Sequence, residues 1–153
     1  MSNSRGFSLI EVMVSLAMVG LLGAGAFTLV SATSAATAAA RTRAAATADA
    51  IATIDRVLNL AGVASAYGGP LPFCALVQGP GGPMDAAAGT VTGTCPTLSV
   101  TGIPITSTEL RRSVEIETAA IGAATGLRLT VTATGPGLAK PVVATTLLMI
   151  GGA

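Results

Sequence analysis

Residues 5–30, RGFSLIEVMVSLAMVGLLGAGAFTLV, decide the fold. A short polar lead with a single positive charge, Arg5, is followed at once by an apolar run from Phe7 to Val30, in which Glu11 is the only charge. A helix of this length rises about 36 Å, whereas the hydrocarbon core of a bilayer is about 30 Å thick. The stretch therefore predicts a helix that is long enough to cross a membrane.

Two common kinds of apolar N-terminal segment explain this run incompletely. A secretory signal has an apolar region of about 7–15 residues before small residues at its cleavage site, which residues 31–40 would supply, but this run is too long. A plain membrane anchor accounts for the length. It does not account for Glu11, because an acidic side chain one turn inside a membrane helix costs a few kcal/mol unless it is neutralised. Both interpretations stay open as alternatives.

The junction RGFSLIEVMVSLA, residues 5–17, resembles the type III signal sequence and N-terminal segment of type IV prepilins and pseudopilins. A short leader ends in Gly6, the aromatic Phe7 follows, Glu11 comes four residues later, and the apolar helix runs on without interruption. The resemblance implies cleavage after Gly6, N-methylation of Phe7 as the new N-terminus, and a role for Glu11 in assembly. The cut precedes the apolar run, so the helix stays in the mature protein.

The implied cleavage gives Glu11 a physical role. Removal of the leader creates an α-amino group at Phe7, and an ion pair with that amine relieves the cost of a carboxylate in lipid. In the family this is a contact to an adjacent subunit. The alternative is a Glu that is solvated or that snorkels to the membrane surface. The small residues Gly20, Gly23 and Gly25 permit close approach of a second helix, or merely pack without a function.

Residues 31–61 extend the helix out of the membrane. Ala dominates this segment, Gly and Pro are absent from it, and Ala is the strongest helix former. A helical wheel places an apolar stripe on one side, formed by Ile51, Ile54, Leu58 and Ala61. It places charges on the other side, namely Arg41, Asp49, Asp55 and Arg56. The stripe is predicted to cover a sheet, and Gly62 is predicted to end the helix.

Beyond Gly62 the sequence changes to Gly, Pro and Thr with short β-branched segments, which is typical of a small sheet domain. Apolar and polar side chains alternate in residues 127–134 and 113–118, which predicts two strands with one buried face. An apolar strand, either central or last, is predicted at residues 141–150. A turn is predicted at residues 79–83 (GPGGP). The fold class is therefore α+β: a long N-terminal α-helix with a membrane half and an amphipathic half, packed on a small antiparallel β-sheet. We expect a leader at 1–6, helix halves at 7–30 and 31–62, and a sheet domain at 63–153.

Cys74 and Cys95 are the only cysteines, and they lie in a Gly/Pro-rich region of a chain whose N-terminus resembles an export signal. This favours one disulfide formed outside the cytoplasm over two unpaired buried thiols. A disulfide that closes such a loop stabilises a fold by about 3 kcal/mol.

Composition argues against several functions. The net charge is +1, only 3% of residues are aromatic and His is absent, so neither nucleic-acid binding nor catalysis is indicated. We expect no cofactor. The acidic residues of the sheet domain are scattered, so we also expect no metal site; they are Asp85, Glu109, Glu115 and Glu117. Arg111 and Arg112 form the only adjacent basic pair there, and we expect them on a solvated strand edge.

The resemblance implies a structural subunit, a major or minor pilin, that polymerises through its N-terminal helix into a type IV pilus. Its expected partners are copies of itself or other pilins, the prepilin peptidase/methyltransferase, and the inner membrane before assembly. The expected location is the bacterial inner membrane for the precursor, and then an extracellular pilus or a periplasmic pseudopilus. Two alternatives remain: a pseudopilin of a type II secretion system, and a membrane-anchored binding module. The scattered acids favour a pilus over a calcium-binding pseudopilin.

Overall fold

The computed structural model describes residues 8–66, 70–85, 87–106, 108–121 and 124–149. The chain forms two compact units, Met1–Ala40 and Arg41–Ala153. The elements in chain order are α1 (Leu9–Ala66), α2 (Pro70–Gln78), β1 (Thr90–Thr94), β2 (Thr97–Pro104), β3 (Arg111–Ile121), β4 (Ala124–Thr134) and β5 (Val142–Leu148). A long N-terminal helix followed by a β-sheet confirms the predicted α+β class.

The N-terminal unit consists of the first part of α1. Every side chain from residue 8 to residue 40 is exposed, including large apolar ones such as Leu21, Leu22 and Phe27. Within the described residues, α1 is the one helix long and apolar enough to cross a membrane, judged by length and composition. Its hydroxyls are satisfied inside the helix, as where Thr28 donates to the Gly25 carbonyl at 2.8 Å. From residue 8 to residue 40, this unit therefore buries no side chain in a core.

The C-terminal unit contains a five-stranded antiparallel sheet with the order β1-β2-β3-β4-β5. The predicted alternation is confirmed, because Val114 of β3 pairs with Val131 of β4 and both side chains are fully buried. The predicted apolar strand at residues 141–150 is β5, the last strand, and it lies at an edge of the sheet. The predicted turn at residues 79–83 is also present.

The part of α1 from residue 41 onwards packs on one face of the sheet, but with a different stripe from the predicted one. Its buried side chains are Ala46, Ala50, Thr53 and Val57. Ile51 and Leu58 are 52% and 41% exposed, so the prediction that they cover the sheet is wrong, although Ile54 and Ala61 do pack against the core. The small side chains lie inward because they let the helix approach the sheet closely. The larger Ile51 and Leu58 are left on the opposite side.

An ion pair between the helix and the sheet corrects two further predictions. Asp49 was expected on the side of the helix away from the sheet, and Arg112 on a solvated strand edge. Instead, Arg112 Nη1 donates to Asp49 Oδ1 at 2.9 Å, with only 12% of the Arg112 side chain and 19% of the Asp49 side chain exposed. Arg112 belongs to β3, which is the central strand. Its neighbour Arg111 is exposed and donates to the Gly102 carbonyl at 3.2 Å.

The helices also extend further than predicted. Gly62 does not end α1, which continues to Ala66 through residues that are compatible with a helix. A second helix, α2, lies where the sequence indicated only loop and sheet. Its first residue is Pro70, and proline is well tolerated in the first turn because that N–H has no helical partner. Phe73 and Val77 of α2 are fully buried in the core.

The expected disulfide joins Cys74 of α2 to Cys95, which lies between β1 and β2. The Cα atoms of the two residues are 6.1 Å apart, and 21 positions separate them in the sequence. The disulfide therefore ties the second helix to the β1 end of the sheet.

Candidate processing and assembly site

The predicted processing residues, Gly6 and Phe7, lie outside the described residues. The described chain begins at Ser8, whose carbonyl accepts hydrogen bonds from the backbone N–H of Glu11 at 3.0 Å and of Val12 at 3.2 Å. These bonds close the first turn of α1. Within the described residues, α1 thus begins at Leu9, three residues after Gly6.

Glu11 lies in this first turn and its side chain is exposed. A negative charge at a helix N-terminus interacts favourably with the unpaired N–H groups there. This is a second physical reason for an acid at position 11, and the sequence alone did not indicate it. The Ser15 hydroxyl donates to the backbone carbonyl of Glu11 at 2.7 Å rather than to its carboxylate. Among the described residues, Glu11 has no ion pair.

The surface beside Glu11 is apolar. Val12, Leu16 and Val19 lie next to it along α1 and leave the carboxylate at the edge of an exposed hydrophobic strip. An isolated carboxylate in such surroundings is costly once lipid or another helix removes water from it. A positively charged partner would relieve this cost, and no described residue of the same chain supplies one to Glu11.

The glycines of the apolar run are not required by the chain itself. A Cβ atom added at Gly20, Gly23 or Gly25 meets nothing within 4 Å. Each glycine inside a helix costs about 1 kcal/mol relative to Ala. Close approach by a second helix is the physical reason that would offset this cost.

The acids of the C-terminal unit are scattered among the described residues. In the part of the chain that the structure describes, no three His, Cys, Asp or Glu side chains come close enough to hold a metal ion. Asp85 instead accepts hydrogen bonds from the backbone N–H groups of Gly81 at 3.0 Å and of Ala87 at 2.9 Å. These hydrogen bonds hold the pKa of the Asp85 carboxyl below its ordinary value of 3.8. Its structural role in this loop was not foreseen from the sequence.

The comparisons with known proteins bear on the N-terminal segment. Residues 1–27 match the prokaryotic N-terminal methylation motif, which is the signal motif of type IV pilins and pseudopilins. The match includes Gly6, Phe7 and Glu11. No curated protein and no solved structure matched the chain. The motif supports a type IV pilin or pseudopilin, and it implies a structural subunit that is processed by prepilin peptidase.

Proposed function

We propose that this protein is a structural subunit of a type IV pilus, cleaved after Gly6, N-methylated at Phe7 and polymerised through α1. The observation that carries the proposal is the combination of a methylation motif and an exposed apolar helix at the N-terminus. The methylation motif leads directly into a helix whose apolar side chains are all exposed from Leu9 to Val30. Such a surface needs a membrane before assembly and neighbouring helices after it.

In this assembly, Glu11 of one copy pairs with the α-amino group of Phe7 in a neighbouring copy. Lateral packing of the helices removes water from both charges, so their attraction becomes stronger while each unpaired charge becomes more costly. A copy inserted out of register leaves a carboxylate and an amine unpaired in an apolar interior. The pair therefore chiefly fixes the axial position of one helix relative to its neighbour, whereas the exposed apolar residues supply most of the association energy.

Gly20, Gly23 and Gly25 fit the same assembly. They lie on the exposed apolar part of α1, where a side chain would meet nothing in its own chain. Removing the Cβ atoms lets the backbone of a neighbouring helix approach closely, and close contact strengthens dispersion attraction.

The choice of a pilus over a type II pseudopilus rests on the acids of the C-terminal unit. Both carboxylate oxygens of Asp85 already accept backbone hydrogen bonds, and among the described residues no three acidic side chains come close enough to hold a metal ion. Few carboxylates then remain to form the calcium site expected of a pseudopilin. On this proposal the precursor resides in the bacterial inner membrane and the mature subunit in an extracellular filament with copies of itself or other pilins.

Assembly can be tested by substituting Glu11. We expect Glu11→Ala to leave the precursor in the membrane and its leader cleaved, but to reduce the amount of this subunit in sheared surface fibres seen by electron microscopy. Glu115→Ala is the matched control, because it removes an exposed carboxylate from the sheet. Unchanged incorporation of the Glu11 variant would remove the proposed role of this residue. The absence of wild-type subunits from surface fibres would contradict the pilus itself.

A further inference from the structure

We infer that the outward side of α1 in the C-terminal unit docks on strand β5 of a second copy of this chain. The inference rests on the proposed function, since it specifies a contact within the filament. The helix patch is formed by Ile51, Asp55 and Leu58. The strand patch is formed by Val143, Leu147 and Arg128.

The helix patch is an apolar surface that the fold leaves uncovered. Ile51 and Leu58 are large side chains pointing away from the sheet, while Ala50 and Val57 beside them are fully buried against it. Asp55 follows Ile51 by four residues and precedes Leu58 by three, so the three side chains lie on one side of the helix. The prediction that Asp55 lies opposite Ile51 and Leu58 is therefore wrong. Among the described residues, Asp55 has no ion pair. The patch thus combines two apolar side chains with one negative charge.

The strand patch has a matching arrangement on the opposite face of the sheet. Val143 and Leu147 are 59% and 52% exposed, on the face of β5 away from α1. Arg128 of β4 lies directly beside Leu147 in the strand register. β5 is an edge strand without a charged residue, and exposed apolar edge strands readily bind another chain. The opposite edge strand, β1, instead exposes threonines such as Thr92.

The two patches are similar in length and opposite in charge. Ile51 and Leu58 are separated by about 10 Å along a helix, and Val143 and Leu147 by about 13 Å along a strand. Asp55 is negative and Arg128 is positive. The Glu117 carboxylate is 3.8 Å from Arg128 and both side chains are about half exposed, with 51% for Arg128 and 45% for Glu117. An exposed pair this long contributes little, so Arg128 remains available to a second carboxylate.

The patches cannot meet within one copy, because the helix patch points away from the inner face of the sheet and the strand patch lies on its outer face. A contact between them joins two different surfaces of neighbouring copies. Such a heterologous contact leaves one free patch of each kind at the ends, so it repeats without closing when the rotation permits. This is the kind of contact that a filament requires, and the second copy is the occupant that the charges and spacing favour.

Chemical cross-linking in assembled fibres tests the contact directly. The double variant Ile51→Cys, Leu147→Cys places one thiol in each patch, while the native cysteines are held in their disulfide. A short bismaleimide linker should then give a ladder of dimers, trimers and larger species. The matched control is Ile51→Cys, Thr92→Cys, which moves the second thiol to the far edge of the sheet and should give no ladder.

Several results would overturn the inference. A double variant that assembles into fibres without a ladder would refute the contact, as would an equal ladder from the control. Dimers without larger species would indicate a symmetric contact, and an adduct with a different protein would indicate another occupant. Wild-type cells without fibres containing this subunit would remove the proposed function and the inference together. Wild-type fibres in which only the cross-link fails would remove the inference alone.

A charge exchange provides an independent test. Asp55→Arg and Arg128→Asp each place like charges in the contact, and we expect each to lower the yield of fibres roughly fivefold. The combined variant restores an opposite pair between copies and should return the yield close to the wild-type level. Within one copy the two residues lie on opposite sides of the C-terminal unit, so rescue cannot arise inside a single chain. A combined variant with a yield as low as the worse single variant would contradict the contact.

Discussion

Replacing Asp49 by alanine should destabilise the C-terminal unit by about 2 kcal/mol, a value between those of exposed pairs and of fully buried ones. The Arg112 guanidinium donates one hydrogen bond to the Asp49 carboxylate, from Nη1 to Oδ1 at 2.9 Å. Asp49→Ala leaves that positive charge mostly out of water without a counterion. The Asp49 Oδ2 and Arg112 Nε atoms already lack hydrogen-bond partners, so the pair itself is imperfectly satisfied. For this reason we place the cost below the 3–5 kcal/mol of a broken, fully buried pair.

A double-mutant cycle separates the ion pair from other effects of the substitution. The cycle compares the wild type, Asp49→Ala, Arg112→Met and the combined variant. The combined variant removes both charges and should be more stable than Asp49→Ala alone, with a coupling of about 1–2 kcal/mol. Pulse proteolysis of the full chain in detergent over a urea series measures the folded fraction. Asp55→Ala, an exposed carboxylate on the same helix, is the control and should change stability by less than about 0.5 kcal/mol. Equal effects of the two alanine variants, or no coupling, would refute the reasoning.

Three further outcomes are expected. Val57→Ala should lower the free energy of unfolding by about 2 kcal/mol in the same urea series. Ile51→Ala should lower it by clearly less, because Val57 is buried and Ile51 is exposed. Equal losses of stability would contradict the packing of the helix on the sheet. Replacing Cys74 and Cys95 together by serine should cost about 3 kcal/mol, and no loss would show that the disulfide adds no stability. The lowered pKa of Asp85 means that its loop is stabilised above pH 3.8 and that this stabilisation is lost as the pH falls through the folded-state pKa. The rate of hydrogen exchange at the Gly81 amide in the wild type, divided by the rate in Asp85→Ala, should rise as the pH falls through that range. A ratio that stays constant with pH would contradict the role of the carboxylate.

The parts of the fold that were predictable are those with a long or regular pattern. The uninterrupted apolar run predicted the beginning of α1, and strict alternation predicted β3 and β4. The buried stripe of the helix was not predictable in this way, because Ala46 and Ala50 fit both a buried and an exposed position. Ile51 and Leu58 were placed inward because the helical wheel grouped them with Ile54 and Ala61 into one apolar stripe. Helix α2 was missed because the prolines and glycines around it indicate turns.

The contact between Asp49 and Arg112 depends on tertiary structure, since the two residues are 63 positions apart in the sequence. Their contact depends on which face of α1 lies against the sheet, and no local sequence pattern specifies that orientation. The predicted processing site is the opposite case. Its motif is local, so Gly6, Phe7 and Glu11 could be singled out before any fold was known, although the partner of Glu11 is expected in another copy. The role of Asp85 depends on a loop conformation and was not predictable.

The intact mass of the subunit from sheared surface fibres tests the central claim most directly. We predict the mass of residues 7–153 with one added methyl group and with the cysteines oxidised, and fragmentation should place the methyl group on the amine of Phe7. A chain that retains residues 1–6, or one cut near Ala36 as a secretory signal would be, would contradict the account.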